Sequence, residues 1–347
     1  MMGETFFDRY GKRLFVMAIL LLLAGSAAYI AYSANQYKKM TREWYQPLAE
    51  ESRTQIQAHS PEHKLEVKQQ PAADVLPAPK PLKPFTLLLI GTDSRDGEKA
   101  RADTMMLAVI RPADQKAYLL SIPRDSYMEI PGRGFDKVNH AMAFGGPKLL
   151  KASLEQFFAV KIDRYMMMDF DGFRKVVDEL GGVEINVKKR MKYTDPTDDT
   201  FIDLKPGLQT LNGEQALDYV RYRKSDVGRE DSDAERIMRQ QEVIKALANK
   251  GTSVQAFIKA FKLMEILGKH VKTDISEDEI ASLLATYYDP EHNHLETDTL
   301  QGTDERIWRH GIRGWYYLVP KKERERIQNR LAQELNQQDT QEGRQPK

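Results

Sequence analysis

Short apolar runs recur along residues 85–187 and are separated by polar turns, a pattern that is typical of a sheet with buried strands. The runs cover residues 85–91, 104–111, 116–123, 164–168 and 183–187. A polar turn from Pro112 to Gln115 joins the second and third runs, so we expect these two strands to form a hairpin. Because the first run is continuously apolar rather than alternating, it predicts a strand that is buried on both faces.

Apolar residues at intervals of three and four predict helices between and after these strands. One such stripe follows a Gly-Gly-Pro sequence that ends at Pro147, and the next includes Phe173 and ends at a glycine pair. A short helix is expected after Asn212, and the capping-box spacing of Ser232 and Glu235 predicts the start of a longer one. This mixture of strands and helices predicts an α/β domain with helices on both faces of one sheet.

The N-terminal region contains a long segment without charge, from Leu14 to Tyr32. A helix of this length would span roughly 28 Å, about one bilayer hydrocarbon core. Basic residues at positions 9, 12 and 13 precede it, and such flanks stay in the cytoplasm. We therefore expect a cytoplasmic segment over residues 1–13, a transmembrane helix over residues 14–32, and a single-pass type II protein of the cell membrane with its folded domain outside. A cleaved signal peptide is the alternative, because small residues from Ala24 to Ala28 could form a cleavage site.

Residues 33–84 differ in composition from the regions on either side. They contain seven of the 16 prolines and no glycine, and they end in PAADVLPAPKPLKP, which favours extended polyproline II structure. We expect a semi-rigid stalk in this region and a folded domain over residues 85–320. Residues 321–347 are expected to form a last helix followed by a polar, disordered tail.

The composition limits the chemistry that the chain can perform. Lys plus Arg total 52 and Asp plus Glu total 51, and a formal net charge of +1 does not favour a general nucleic-acid-binding surface. The absence of cysteine excludes disulfides, thiolate zinc sites and cysteine nucleophiles. The sequence also lacks the motifs of serine hydrolases, P-loop proteins and zinc proteases. Acidic and basic side chains at the ends of predicted elements remain as candidates.

Two aspartates lie at the ends of neighbouring predicted strands. Asp93 follows the first strand, and Asp103 precedes the second. Open α/β sheets bind ligands at strand ends, and Mg²⁺ is commonly held by one or two carboxylates together with substrate phosphates. The pair could therefore share a hard cation, or each aspartate could make local backbone hydrogen bonds in a turn.

Arginines also collect at the ends of predicted elements, where planar guanidinium groups suit phosphate oxygens. Arg124 ends a strand, Arg221 and Arg223 alternate in the sequence YVRYR, and Arg236 precedes Gln240 by about one helical turn. If YVRYR is extended, its two arginines point the same way. A solvated, ion-paired surface is the alternative for any one of them. Together with the two aspartates, the set has the composition of a metal-assisted pyrophosphate site.

Around these residues the sequence resembles the LytR-CpsA-Psr family of Gram-positive bacteria. The matching segments are LLLIGTDSR, RADTMMLAVI, LLSIPRDSYMEIPG, DKVNHAMAFGG, MMDFDGFRKVVDELGGVEINV, LNGEQALDYVRYR and DAERIMRQQEVIKAL. They follow the family order between about residues 85 and 250, after an N-terminal anchor of the kind that the family has. The resemblance implies an α-β-α sandwich around a mixed central sheet, with a long apolar pocket for a polyprenyl chain.

The resemblance also implies an activity. Family members transfer an anionic glycopolymer such as wall teichoic acid from an undecaprenyl-pyrophosphate carrier to N-acetylmuramic acid of peptidoglycan, with Mg²⁺ present. We therefore expect a membrane-anchored, extracellular phosphotransferase whose partners are the lipid-linked glycopolymer, peptidoglycan and the membrane, and not nucleic acid. Two alternatives stay open: hydrolysis of the same pyrophosphate with water as acceptor, and a non-catalytic lipid-binding or regulatory role in the envelope.

Matching motifs carry the roles of family residues over to this chain. The implied metal-positioning residues are Asp93 and Asp103, which are also catalytic together with Arg124, Arg221 and Arg223. The implied substrate-binding residues are Arg95, Lys137, Arg236, Arg239 and Gln240. The residues that either line the lipid pocket or form ordinary core are Met166, Met168, Phe170, Phe173, Val177, Ile237 and Ile244.

One segment departs from the family pattern. The acidic stretch between the arginine pair and the helix that follows it is longer than in many members. The family aspartate in this region could therefore correspond to Asp226, Asp231 or Asp233, and the role of Arg229 is open. An aspartate near the metal is the candidate for the general base that activates the acceptor hydroxyl.

Overall fold

The computed structural model describes residues 43–48, 82–93, 101–197, 200–251, 260–287, 294–309 and 311–336. The expected transmembrane segment, most of the stalk, Arg95 and the tail after residue 336 lie outside these residues. Within the described ranges, no helix has the length and apolar character needed to cross a bilayer.

The described residues form an α/β domain with short strands and longer helices. The strands are β1 (Phe85–Thr92), β2 (Ala102–Arg111), β3 (Lys116–Ser121), β4 (Tyr127–Ile130), β5 (Gly134–Lys137), β6 (Arg164–Asp169), β7 (Val183–Val187), β8 (Met191–Asp195), β9 (Thr200–Leu204), β10 (Gly207–Leu211), β11 (Val271–Thr273), β12 (His294–Thr299), β13 (Thr303–Arg309) and β14 (Ile312–Leu318). The helices are α1 (His140–Phe158), α2 (Phe170–Glu179), α3 (Gly213–Arg221), α4 (Asp233–Gly251), α5 (Ala260–His270), α6 (Glu277–Thr286) and α7 (Lys321–Asn336).

Six of the strands form a mixed central sheet in the spatial order β11-β6-β1-β2-β3-β12. Strand β2 is antiparallel to both β1 and β3, whereas β6 pairs with β1 and β12 pairs with β3 in parallel. The hairpin predicted between β2 and β3 is confirmed, and Gln115 in its turn has a positive φ of 53°. The other eight strands form two-stranded ribbons.

Helices cover both faces of the central sheet, so the sandwich expected from the sequence is confirmed for the folded domain. On one face, Leu107 belongs to a fully buried cluster with Leu154 of α1 and Leu331 of α7. On the other face, Met106 belongs to a second cluster that includes Ile280 of α6. Because adjacent residues of β2 are buried on opposite faces, its sequence is apolar throughout rather than alternating.

A smaller core lies beside the sheet and supports the arginine-rich part of the chain. Helices α2, α3 and α4 contribute to it together with the β7–β10 and β8–β9 ribbons. Asn212 and Gln215 form a capping box at the start of α3. The capping box predicted at the start of α4 is confirmed, because the Ser232 amide donates to Glu235 at 2.7 Å and the Glu235 amide donates to the Ser232 hydroxyl at 3.2 Å. These caps fix where both helices begin.

One local prediction from the sequence is confirmed in part and another is wrong. Helix α1 is broken at Gly145 and Gly146, whose φ and ψ values are not helical, so a helical segment does begin near Pro147; a shorter segment from His140 precedes it. The YVRYR sequence is not extended, because α3 continues through Arg221 and Tyr222 is its C-cap. Here the helix runs beyond the boundary that local sequence suggests.

Candidate active site

Two adjoining cavities lie at the edge of the central sheet where β1 ends and β2 begins. We call the first, of about 440 Å³, the polar cavity; its lining residues are Asp93, Arg101, Asp103, Arg124, Asp125, Lys137, Asn139 and His140. We call the second, of about 290 Å³, the mixed cavity; its lining residues are Asp103, Thr104, Arg124, Phe170, Tyr193, Asp195, Thr200, Ile202, Val220, Arg221, Arg223, Lys224, Arg236 and Gln240. Asp103 and Arg124 line both cavities and therefore mark the boundary between them.

The sheet topology brings these two shared residues together. Strands β2 and β3 are antiparallel, so the start of β2 and the end of β3 lie at the same edge, and Asp103 and Arg124 are located there. The Arg124 Nη1 donates to Asp103 Oδ1 at 2.7 Å. Burial lowers the pKa of the Arg124 guanidinium, but the Asp103 carboxylate outweighs this and the pKa is raised overall. The arginine therefore stays protonated and is held in a fixed direction by its partner.

Buried polar atoms in this region have no hydrogen-bond partner among the described residues. They include Nε of Arg124, Oδ1 of Asn139 and Nε of Arg236. A buried donor or acceptor without a partner costs roughly 1–3 kcal/mol. An anion placed between the two arginines would supply acceptors for both Nε groups, which indicates a ligand-binding rather than a purely structural role for them.

The mixed cavity collects most of the predicted arginines. Arg221 at the end of α3, Arg223 two residues later and Arg236 on α4 all line it, together with Gln240. Arg236 Nη2 lies 2.9 Å from Asp233 Oδ1. Burial lowers the pKa of Arg236, and the neighbouring cations lower it further although Asp233 opposes them. This crowding of positive charge would be relieved by a bound phosphate or pyrophosphate.

Asp233 is the member of the acidic stretch that contacts the site. Besides its bond with Arg236, its Oδ1 lies 3.9 Å from Nε of Arg223. Asp231 is instead fully buried with Arg239, while Arg229 pairs with Glu235 outside both cavities. Of the three candidate aspartates, Asp233 is therefore the one that pairs with arginines of the mixed cavity.

Arg239 takes a position that differs from the one expected of a substrate-binding residue. Its Nε donates to the Tyr219 carbonyl at 2.8 Å, its Nη1 donates to Asp231 at 2.6 Å, and its Nη2 donates to the Tyr222 carbonyl. It is 6% exposed and lines neither cavity. Its contacts tie α4 to the end of α3, just before Arg223.

Lys137, which the resemblance implies as a substrate-binding residue, lines the polar cavity. Its ammonium lies 2.7 Å from Oδ1 of Asp125 on the wall of the polar cavity. The same ammonium lies 5.4 Å from the ring centroid of Tyr316, within the range of a cation–π contact.

The mixed cavity has an apolar wall that the sequence predicted only in part. Phe170 lines it, and the Arg221 guanidinium carbon lies 5.1 Å from the centroid of its ring. Val177, by contrast, is fully buried in the smaller core, so core packing explains it. Residues of the β8–β9 ribbon complete the wall, among them Tyr193 and Ile202. Nothing in their local sequence marks them, because their contribution depends on how the ribbon packs beside α3.

The polar cavity has the donors that a hard cation would need. Asp93 and Asp103 both line it, and carboxylate oxygens are preferred ligands of Mg²⁺. Among the residues that the structure describes, no three His, Asp or Glu side chains converge as a complete ligand set. The two aspartates therefore fit a cation whose coordination is completed by water and by oxygens of a bound phosphate.

Asp218 lies on α3, one turn before Arg221, and is expected to make the stability of the folded protein depend on pH. Burial, together with the nearby Glu214 carboxylate, raises the pKa of its carboxyl from 3.8 to about 7. The folded protein thus binds a proton that the unfolded chain has lost, so stability should fall as the pH rises from 3.8 to about 7. We expect Asp218→Asn to raise the free energy of unfolding at pH 8 by about 1–3 kcal/mol and to change it little at pH 4.

Denaturant unfolding at a series of pH values would measure this effect. Glu184→Gln removes an exposed carboxyl on β7 and should leave the pH profile unchanged. Parallel profiles for wild type and Asp218→Asn would show that this carboxyl does not titrate in the expected range.

This combination of fold and site defines a class of protein: an α-β-α sandwich whose sheet edge carries arginines and carboxylates beside an apolar wall, a composition suited to an anionic, phosphate-like ligand. The chain belongs to the LytR_cpsA_psr family, whose sequence profile matches residues 41–333.

Relatives and solved structures agree with this assignment. The chain is 33% identical over 333 residues, 93% of each protein, to the polyisoprenyl-teichoic acid–peptidoglycan teichoic acid transferase TagU of Oceanobacillus iheyensis. A solved structure of TagT bound to LIIa-WTA has a TM-score of 0.59 and 29% identity, and the match covers 73% of this chain and 91% of TagT. TagT with bound octaprenyl pyrophosphate lipid matches with a TM-score of 0.54 and 27% identity, over 73% and 90% of the two chains.

Proposed function

We propose that this protein transfers teichoic acid or a similar anionic glycopolymer from a polyprenyl-pyrophosphate carrier to peptidoglycan. The observation that carries the proposal is the position of Arg124 and Asp103 between a polar cavity and a cavity with an apolar wall. The names of the relatives support it, because TagU is named for this reaction and TagT has been solved with a polyprenyl pyrophosphate.

The mixed cavity suits the lipid-linked donor. Its arginines are placed to bind the two phosphates, and Phe170, Ile202 and Val220 offer an apolar surface to the first units of the prenyl chain. Gln240 on α4 adds an amide that can donate to a phosphate oxygen. This arrangement would place the reacting phosphorus near Arg124, at the boundary with the polar cavity.

The reaction is a displacement at phosphorus. The acceptor hydroxyl forms a new P–O bond, and the bond to the bridging oxygen breaks, so that polyprenyl phosphate leaves. Arg221, Arg223 and Arg236 are placed to stabilise the negative charge that develops on the leaving phosphate. An aspartate of the polar cavity takes the proton of the hydroxyl, which makes it the general base.

Asp93 and Asp103 are the residues that would hold Mg²⁺, which when bound would neutralise charge on the phosphate oxygens. In the full chain, the apolar segment at residues 14–32 would anchor the protein and place this site on the outer side of the membrane, where the acceptor is found.

Reconstitution with the full chain tests the reaction. The protein would be incubated with an undecaprenyl-pyrophosphate-linked saccharide, peptidoglycan oligomers and Mg²⁺, and the products would be analysed by mass spectrometry. We expect a saccharide-phosphate adduct on the oligomer together with polyprenyl phosphate. Release of polyprenyl phosphate without an adduct would indicate hydrolysis, and an intact, tightly bound donor would indicate a lipid-binding role.

The metal dependence of transfer can be tested separately. We expect chelation with EDTA to abolish transfer and Mg²⁺ to restore it. Asp103→Asn should raise the Mg²⁺ concentration for half-maximal rate at least about tenfold, because it removes one anionic ligand. Asp125→Asn changes a carboxylate of the same cavity that pairs with Lys137, and it should not shift the Mg²⁺ dependence. Undiminished transfer in EDTA, or by Asp103→Ala, would contradict the metal assignment.

A further inference from the structure

The β13–β14 ribbon carries an exposed aromatic surface that the transfer mechanism does not use. Of the three tryptophans of the chain, Trp308 and Trp315 lie on this ribbon and are 69% and 57% exposed. The register pairs Arg306 with Trp315 and Trp308 with Arg313. Directly opposed residues of an antiparallel pair share a face, and so do residues two apart along one strand. Both indoles and both guanidinium groups therefore lie on one face, which we call the tryptophan face.

This ribbon is attached to the wall of the polar cavity. The Tyr317 amide donates to the Asp125 carbonyl at 2.9 Å, and Tyr317 also forms a bridge with Ser126. On the opposite face of the ribbon, Tyr316 packs against Tyr127 with ring centroids 5.3 Å apart and lies beneath the ammonium of Lys137. The ribbon is thus fixed beside the wall of the polar cavity, with Lys137 on the face opposite the tryptophan face.

The tryptophan face begins at the active site itself. Asp304 pairs with Tyr317 and lies on this face, two residues before Arg306. Because the Tyr317 amide donates to the Asp125 carbonyl, Asp304 lies at the end of the ribbon that adjoins the polar cavity. Its raised pKa, caused by partial burial and by the carboxylates of Asp233 and Asp125, agrees with this position. Trp308 lies about 13 Å farther along the strand, so the tryptophan face extends outward from the edge of the site.

We infer that the tryptophan face binds the glycan strand of the acceptor and guides its hydroxyl into the polar cavity, an inference that rests on the proposed function. Indole faces are flat, rigid and amphipathic and suit stacking on sugar rings. Arg306 and Arg313 lie beside them and suit the carboxylates of a peptide-bearing glycan. The donor lipid has its apolar wall in the mixed cavity, so this arrangement lets donor and acceptor approach Arg124 from different sides.

A glycan fits this surface better than a membrane does. Tryptophan and arginine are also common at bilayer interfaces. However, the face starts at the exposed carboxyl of Asp304, beside the residue whose amide bonds to Asp125 of the charged cavity, and a surface that only contacted a membrane would not need that position.

Binding of fluorescently labelled, uncrosslinked peptidoglycan oligomers to the full chain tests the inference without requiring catalysis. We expect Trp308→Ala/Trp315→Ala to weaken this binding at least about tenfold, because truncating exposed aromatic anchors removes most of their contact area. Trp308→Phe/Trp315→Phe should retain most of it. Leu208→Ala is the matched control, because Leu208 is 68% exposed on β10 and lies on a different ribbon.

Steady-state transfer separates this inference from the proposed function. In the double alanine variant we expect the acceptor KM to rise about tenfold or more while the donor KM stays within about twofold. If wild type binds oligomers through the tryptophans but forms no adduct, the proposed function fails and the binding surface stands. Unchanged oligomer binding by the double variant would overturn the inference. Loss of binding to vesicles of anionic phospholipid, with oligomer binding intact, would overturn it in favour of a membrane contact.

Discussion

Substitution of Arg124 by alanine is expected to reduce polymer transfer by a factor of about 100 to 1,000, while the protein remains folded. Among the described residues, Arg124 is the one cation that lines both cavities, and its side chain is held by Asp103 at 2.7 Å. Its Nε lies 3.9 Å from Asp125 and has no hydrogen-bond partner among the described residues, so it can donate to a phosphate oxygen. Removing it therefore removes charge stabilisation where donor and acceptor meet, whereas Asp103, at 29% side-chain exposure, stays hydrated and costs the fold little.

The rate of adduct formation under saturating donor and acceptor measures this effect. Arg229→Ala is a matched control, because Arg229 is 72% exposed, pairs with Glu235 and lines neither cavity; it should change the rate less than about twofold. Arg124→Lys should retain part of the activity, because it keeps the positive charge. It should not reach the wild-type rate, because it lacks the planar guanidinium group that can donate two parallel hydrogen bonds. A rate near that of wild type for Arg124→Ala, with an unchanged melting temperature, would place the reaction elsewhere in the molecule.

Much of the central sheet and part of the site follow directly from the sequence. Uniformly apolar runs have clear ends, so the positions of Asp93 and Asp103 at strand ends could be predicted before any contact was known. Local capping signals also predicted a helix start correctly, as the hydrogen bond to Ser232 at the start of α4 shows. These features depend on a few consecutive residues, and local physics is enough to specify them.

Other features depend on contacts between distant segments, which one sequence does not reveal. Arg221 and Arg223 do line the same cavity. They are oriented by the end of α3 and its C-cap, however, rather than by the extended strand that their alternation suggested. The β8–β9 and β13–β14 ribbons lack motifs and reach the site only through packing. Arg239 lies three residues after Arg236 on α4, and its partners are backbone carbonyls of another helix.

The second large effect is expected at Arg239, and it concerns stability. We expect Arg239→Ala to lower the free energy of unfolding by about 3–5 kcal/mol. The guanidinium is the buried partner of Asp231, whose side chain is 1% exposed, and it also satisfies the carbonyls of Tyr219 and Tyr222. Removing it leaves a carboxylate with little access to water whose remaining ion-pair partner, in the part of the chain that the structure describes, is Lys189. Denaturant unfolding would measure the loss.

A paired substitution separates a structural role of Arg239 from a substrate-binding one. The loss of stability in Arg239→Ala could arise from the Asp231 carboxylate that is left without its partner. In that case the decrease in unfolding free energy of Asp231→Asn/Arg239→Met should be smaller than the sum of the decreases of the two single variants, because no unpaired buried charge remains. The rate of polymer transfer should then recover together with stability, because the end of α3 and Arg223 regain their wild-type positions. If instead Arg239→Ala keeps wild-type stability and loses only donor affinity, then Arg239 binds substrate directly, as the family resemblance implies, and its buried contacts must open when the donor enters.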